Sequence, residues 1–197
     1  MNKTVNIDIQ NKDILEKGQF ENQKLDFQIV ALTSDDIQTM LIFQALILDA
    51  LEPGEEGYFL EKDESFFKKH FNSGSKAIGV VTNGHLIGQA LIVHPNAQNP
   101  KTGMTDMDLP EPVESISVIQ GVGAHPESRG LKVGDKLIKA WLDVAANDNR
   151  HNALAETDQH NHYSWQLFVK NGVDIVSEGL DQSDGTKLYN HHKVLKL

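Results

Sequence analysis

The chain predicts a single domain of the α+β class with a mixed sheet. Three observations carry this. Strand-like runs flank Thr82-Asn83-Gly84, a hairpin signature. The stretch from Ser115 to Thr157 reads strand, Gly-containing turn, helix, strand, the order of a parallel crossover. At 197 residues and 39% hydrophobic content, the chain supports one core and no comfortable second one.

The elements follow in order. Residues 1–25 are polar apart from the alternation of Val5, Ile7 and Ile9, so this extension either stays loosely ordered or adds an edge strand; the domain proper runs over 26–197. Phe27 to Leu32 has strand composition, and Thr33-Ser34-Asp35-Asp36 supplies capping groups for a helix from about Asp35 to Leu51, closed by Pro53-Gly54. A second helix spans about Asp63 to Phe71. The hairpin Lys76–Val81 and His85–Val93 comes next. Four of the six prolines then mark a long irregular loop, Pro95 to Pro112. A strand over Ser115–Ala124 precedes a helix from Leu131 to about Ala146, whose Val133, Leu137, Ile138, Trp141, Leu142 and Ala145 recur at helical spacing. The last quarter holds a strand at Asn152–Thr157, a helix at about Asn161–Lys170 stopped by Asn171-Gly172, and strands near Val173–Glu178 and Thr186–Leu195. Trp141 and Trp165 read as core.

Composition narrows the function. A formal charge of -10 argues against nucleic acid as a partner, and the absence of cysteine excludes disulfides and thiolate chemistry. The longest apolar run, Met40 to Leu51, is interrupted by Gln44 and Asp49 and is about one third short of a membrane span, so no membrane partner is expected. Residues 1–25 have no apolar signal stretch, which predicts a cytoplasmic protein. Of the nine histidines, His160 and His162 precede a helix, and adjacent His191 and His192 point to opposite sides of a strand, so no metal site is expected.

The informative stretch is Val122-Gly123-Ala124-His125-Pro126-Glu127-Ser128-Arg129-Gly130-Leu131-Lys132-Val133-Gly134. It places a turn between a strand and a helix, where backbone N–H groups and the positive helix end converge. Gly130 and Gly134 let an anion approach the backbone, and Arg129 and Lys132 add cationic side chains; an ordinary strand-helix turn has the same glycine spacing.

This stretch resembles motif A of the GNAT superfamily of acyl-CoA-dependent N-acyltransferases, Gln/Arg-x-x-Gly-x-Gly/Ala, here Arg129-Gly130-Leu131-Lys132-Val133-Gly134. Asn161-His162-Tyr163-Ser164-Trp165-Gln166-Leu167-Phe168-Val169-Lys170-Asn171-Gly172-Val173 resembles motif B, and Tyr189 to Leu195 the common last strand. The resemblance implies an α/β/α sandwich whose mixed, mostly antiparallel sheet of about six or seven strands is splayed between the family's fourth and fifth strands and carries helices on both faces, with acetyl-CoA as cosubstrate and a small-molecule or peptide amine as acceptor. It carries Arg129, Gly130, Leu131, Lys132, Val133 and Gly134 to the pyrophosphate, Val122, Gly123 and Ala124 to the pantetheine amides, and Asn161, with Ser164, to the pantetheine end. Homodimers are common in the superfamily.

Two departures stand out. Lys132 occupies the motif's first glycine, and Phe168 replaces the tyrosine that protonates the leaving thiolate in many members. The strand-four position often held by an acid is Gln120. Glu156, at the end of the family's fifth strand, is therefore the candidate general base, or else a strand-end carboxylate that only binds the acceptor. Tyr58, Tyr163 and Tyr189 are the remaining phenols. Between Asp35 and Glu64 nine acidic residues face Lys62 alone, either a solvated face or a rim that attracts a cationic amine. Two functions are consistent with this sequence: N-acetyl transfer to a primary amine, and acyl-CoA binding without turnover, as in a sensor.

Overall fold

The structure is a computed structural model that describes residues 4–196 apart from 22, 105, 106, 109 and 111. The described residues contain nine strands and four α-helices. The chain divides into two compact units, Met1–Leu91 with Gly121–Ala140, and Ile92–Gln120 with Trp141–Leu197.

In the first unit the strand order is β2-β3-β4-β5, comprising Ile14–Phe20, Leu25–Leu32, Lys76–Thr82 and His85–Val93, with β1 (Val5–Asn6) paired to β5. The β4–β5 turn places Asn83 at φ 49° and Gly84 at φ 75°, the left-handed pair that a two-residue type I′ turn requires. Strand β2 lies in the extension, where an added edge strand was one alternative, but outside the Val5–Ile9 alternation that suggested it. Its sequence, Ile-Leu-Glu-Lys-Gly-Gln-Phe, lies mostly exposed against β3 and is joined to it over Glu16↔Ile29 to Phe20↔Leu25. Together with β1 it raises the total to nine strands, against the six or seven expected.

A 3-10 turn, Ser34–Asp36, opens helix α1 (Ile37–Leu48), so the predicted helix begins later and ends sooner than its composition suggested. Asp36 is 6% exposed. Its Oδ2 accepts from the Thr33 N–H at 2.7 Å and pairs with Lys12 Nζ at 2.5 Å. Met40, Phe43 and Ile47 of α1 are buried. Gln44 is buried too, and its amide brackets the Lys62 backbone, donating to the carbonyl at 2.7 Å and accepting from the N–H at 2.9 Å. That bracket satisfies a buried polar side chain and fixes the loop leading to α2 (Glu64–Asn72). Asp63 caps α2, accepting from the Phe66 N–H at 2.7 Å; this backbone hydrogen bond, with one from the Ser65 hydroxyl, holds its carboxyl below the usual range.

In the second unit the order is β6-β7-β9-β8, comprising Ile116–Ala124, Asn152–Asp158, Lys187–Val194 and Asp174–Leu180; the chain of β6 continues into the first unit after Gln120. Strands β7 and β9 pair antiparallel over their whole length, and β8 pairs with β9 as an exposed edge. Helix α3 (Val133–Asn147) carries fully buried Trp141, whose Nε1 donates to Ser117 Oγ at 2.9 Å and whose ring meets Phe168 of α4 (His162–Lys170) edge-on at 6.3 Å. Trp165, expected in the core, is only half-buried and stacks edge-on against Tyr189. The Pro95–Pro112 segment holds no helix or strand among its described residues.

Candidate active site

The loop of Arg129 to Lys132 lies between β6 and α3 in the first unit. Ser128 anchors it, donating its hydroxyl to the His125 carbonyl at 2.6 Å, and the Leu131 N–H bonds back to the Ser128 carbonyl at 3.0 Å. Arg129, Gly130 and Lys132 are exposed, while Leu131 and Val133 are buried and tether the turn to the core. Gly130 has φ 88° and open space where a Cβ would stand. Lys132 has φ 57°, the left-handed region that the motif's usual glycine adopts freely and a lysine adopts at a cost. Helix α3 begins at Val133, not Leu131, so Gly130 to Lys132 remain in the loop and the first N–H groups of α3 have no partner inside the helix. An open glycine, two exposed cations and a helix N-terminus suit a diphosphate.

The neighbouring stretch of β6 is shaped by Gly121, at φ 58°, a left-handed residue within a strand and the mark of a bulge. Gly123 is buried, and a Cβ there would lie 2.3 Å from Ile47 Cδ1, so the tip of α1 and Phe59 occupy its missing side chain. Val122 is half-buried and Ala124 exposed.

The second unit holds the other candidates. The parallel ladder of β6 and β7 contains only Ile116↔Asn152, Ser117↔Ala153 and Val118↔Leu154, although both strands run on. Past Leu154, β7 pairs with β9 alone, Glu156 standing opposite Asn190. Glu156 is half-buried. Asn161 caps α4, its Oδ1 accepting from the Ser164 N–H at 3.0 Å, so the oxygen is committed and the amide N–H groups are what a ligand would meet. Ser164 is half-buried.

Phe168 is 3% exposed, packed between Trp141 and His191, whose ring centroid is 5.2 Å away. His191 is fully buried. Its Nδ1 donates to the Val173 carbonyl at 3.2 Å, which leaves Nε2 to accept from Thr157 Oγ1 at 2.8 Å. Burial pushes its pKa down, partly opposed by the Val173 hydrogen bond. His192 points the other way, to Asn152 Oδ1 at 2.8 Å. Among the described residues no three His, Asp or Glu groups converge to hold a metal ion, and no helix is long and apolar enough to cross a membrane. Tyr163 is 85% exposed; Tyr58 and Tyr189 are half-buried.

Of the nine acids between Asp35 and Glu64, Asp36 is spent on Lys12 and Glu64 pairs with Lys68 at 2.6 Å. Asp35, Asp49, Glu52, Glu56, Glu61 and Asp63 are exposed. The buried Oε1 atoms of two amides, Gln89 on β5, which the sequence reading missed, and Gln120 on β6, which it noted only as the strand-four position, have no hydrogen-bond partner among the described residues.

The family model for the acetyltransferase (GNAT) family matches residues 42–173. The chain belongs to the GNAT acetyltransferase family. It is an acyl-CoA-dependent N-acetyltransferase by membership, with acetyl-CoA as cosubstrate. Solved structures of GNAT enzymes superpose at low identity, as expected where fold outlasts sequence. A spermidine N-acetyltransferase chimera of Vibrio cholerae and hSSAT is 14% identical, covering 85% of this chain and 95% of its own, at a TM-score of 0.61. A putative acetyltransferase from Salmonella typhimurium, solved with acetyl-CoA, is 16% identical over 87% and 95%, at 0.61. The ribosomal-protein-alanine N-acetyltransferase of Brucella melitensis is 16% identical over 85% and 99%, also at 0.61. No curated protein sequence matches the chain significantly.

Proposed function

We propose that the protein acetylates a primary, cationic amine by direct transfer from acetyl-CoA in a ternary complex, with Glu156 as the general base. The observation that carries the reading is the early end of the β6–β7 ladder, with the half-buried Glu156 on the stretch of β7 that β6 no longer covers. In this reading Arg129, Gly130, Leu131, Lys132, Val133 and Gly134 hold the pyrophosphate through backbone N–H groups and two cations, Val122, Gly123 and Ala124 offer strand backbone to pantetheine, and Asn161, with Ser164, meets its far end. Acetyl-CoA supplies the activated acetyl group: a carbon–nitrogen bond forms at the thioester carbonyl as the carbon–sulfur bond breaks. Glu156 takes the proton that the amine must shed, directly or through one water. The six exposed acids between Asp35 and Asp63 favour a cationic acceptor. The spermidine enzyme and the ribosomal-protein-alanine enzyme among the neighbours act on amines of two sizes, and both a polyamine and a peptide amino terminus fit such a rim.

One observation favours a second reading, an acyl-CoA sensor. Phe168, where many family members carry the acidic phenol, is locked into the core and has no proton to give. Acceptor-dependent release of CoA thiol with an amine panel separates the two, since a sensor binds without releasing thiol. In the enzyme reading Glu156→Gln lowers kcat/KM for the amine about 100-fold while acetyl-CoA binding stays as it was. Full turnover in that variant removes the base assignment.

A further inference from the structure

We propose that Gln120 binds the acceptor amine, its side-chain oxygen accepting one N–H and so aiming the nitrogen lone pair, while Glu156 takes the proton. The inference rests on the acetyl-transfer reading above and deepens it.

Strand register places the two residues. Val118 and Leu154 form the last pair of the β6–β7 ladder, and paired residues of parallel strands share a face. Two residues on along each strand stand Gln120 and Glu156, on that same face, where the ladder has stopped. The opposite face is accounted for by core contacts: Ser117 takes the Trp141 N–H, and Thr157 bonds His191. Gln120 and Glu156 thus stand on one face of the two strands, just past the last pair of the ladder.

The Gln120 amide is oriented. Its Nε2 donates to the Gly103 carbonyl at 3.1 Å, so the Oε1 assignment follows from the hydrogen bond rather than from convention. Gly103 has φ 85°, and a Cβ there would stand 3.3 Å from Nε2 and 3.2 Å from Val118 Cγ1; the loop is built to lie this close. The oxygen is buried and has no hydrogen-bond partner among the described residues. An unpaired buried acceptor costs stability, and a glutamine that keeps its donor satisfied and its acceptor unsatisfied is suited to receive a ligand hydrogen. A neutral amide also suits the task chemically. It accepts a hydrogen bond without competing for the proton, whereas a second carboxylate would hold the amine as an unreactive ammonium ion.

The test measures CoA thiol release with spermidine and with a short peptide bearing an N-terminal alanine, in wild type, Gln120→Leu and the near-isosteric Gln120→Met, with thermal melting as the check of folding. Side-chain amide NMR, with the Gln120 signal assigned by its loss in the variants, reads spermidine binding directly. The expected result is an amine KM raised about tenfold or more in both variants, an acetyl-CoA KM unchanged, and a Gln120 amide signal that moves on adding spermidine. An unchanged amine KM, a parallel rise in both KM values, or a Gln120 signal that stays still overturns the inference and leaves the amide as a loop clamp. If wild type acetylates neither probe, the acceptor reading itself fails, and the inference falls with it.

Discussion

Lys132 shows how one residue can serve two masters. Its left-handed backbone is the conformation glycine takes without strain, so Lys132→Gly should stabilise the protein by about 0.5–1 kcal/mol, read as a higher melting temperature. The same change removes a cation from the anion-binding loop. If the lysine pairs with a phosphate, calorimetry will show acetyl-CoA bound several-fold more weakly by the stabler variant; tighter binding would mean that the side chain crowds the loop instead. His191 makes a second residue-scale case. Its pKa lies below the usual value because burial disfavours the charged form, so the unfolded chain binds more protons than the folded one as pH falls through the ordinary imidazole range. The stability held by the neutral ring is complete above about pH 6.5 and is lost on acidification below it. Melting temperatures between pH 5 and 8 should fall toward acid in wild type and fall less steeply in His191→Asn. Equal slopes would assign the acid sensitivity elsewhere, His70 and His192 being the other imidazoles depressed by burial.

At the scale of elements, the ion pair of Lys12 with Asp36 joins the segment before β2 to the 3-10 turn that opens α1. Both side chains are nearly buried, so Asp36→Ala strands a buried ammonium and removes a cap; unfolding by urea should show a loss of about 3 kcal/mol or more. A loss under about 1 kcal/mol would mean that Lys12 escapes to water. The same region shows what a sequence conceals. Strand β2 has no clean alternation because, as a sheet edge, it buries little of either face, and its one telling residue, Gly18, is small because the Phe27 ring fills the place of its Cβ, a reason visible only once β3 lies beside it. The β4–β5 hairpin and the helix starts near Asp63 and Asn161 were legible because their signals are local: an Asn-Gly turn, or an acceptor three residues from the N–H it binds.

For the whole molecule, the balance between local and distant information also divides the site. The loop Arg129–Gly134 could be read because its chemistry is contiguous. Gln120 could be recognised only as a missing acid, since the carbonyl that orients it, on Gly103, lies seventeen residues away. The charge of -10 was legible as a number, whereas its distribution needed coordinates to show that Asp36 and Glu64 are paired and that six acids from Asp35 to Asp63 are exposed. In the proposed reading these acids attract a cationic acceptor through screened fields, so KM for spermidine should rise several-fold between about 20 mM and 300 mM salt, where the Debye length shrinks toward that of a close contact. A KM indifferent to salt would assign acceptor recognition to short-range contacts alone. The short β6–β7 ladder has a consequence of another sort. Strands that part after three residue pairs leave a seam of the sheet unstitched, and in the proposed reading a metabolite does the stitching. The fold then works as a gauge of its own cosubstrate: at a free acetyl-CoA concentration of about 100 times Kd the native state gains about 2.7 kcal/mol, and its resistance to heat or proteolysis tracks the acetyl supply around it.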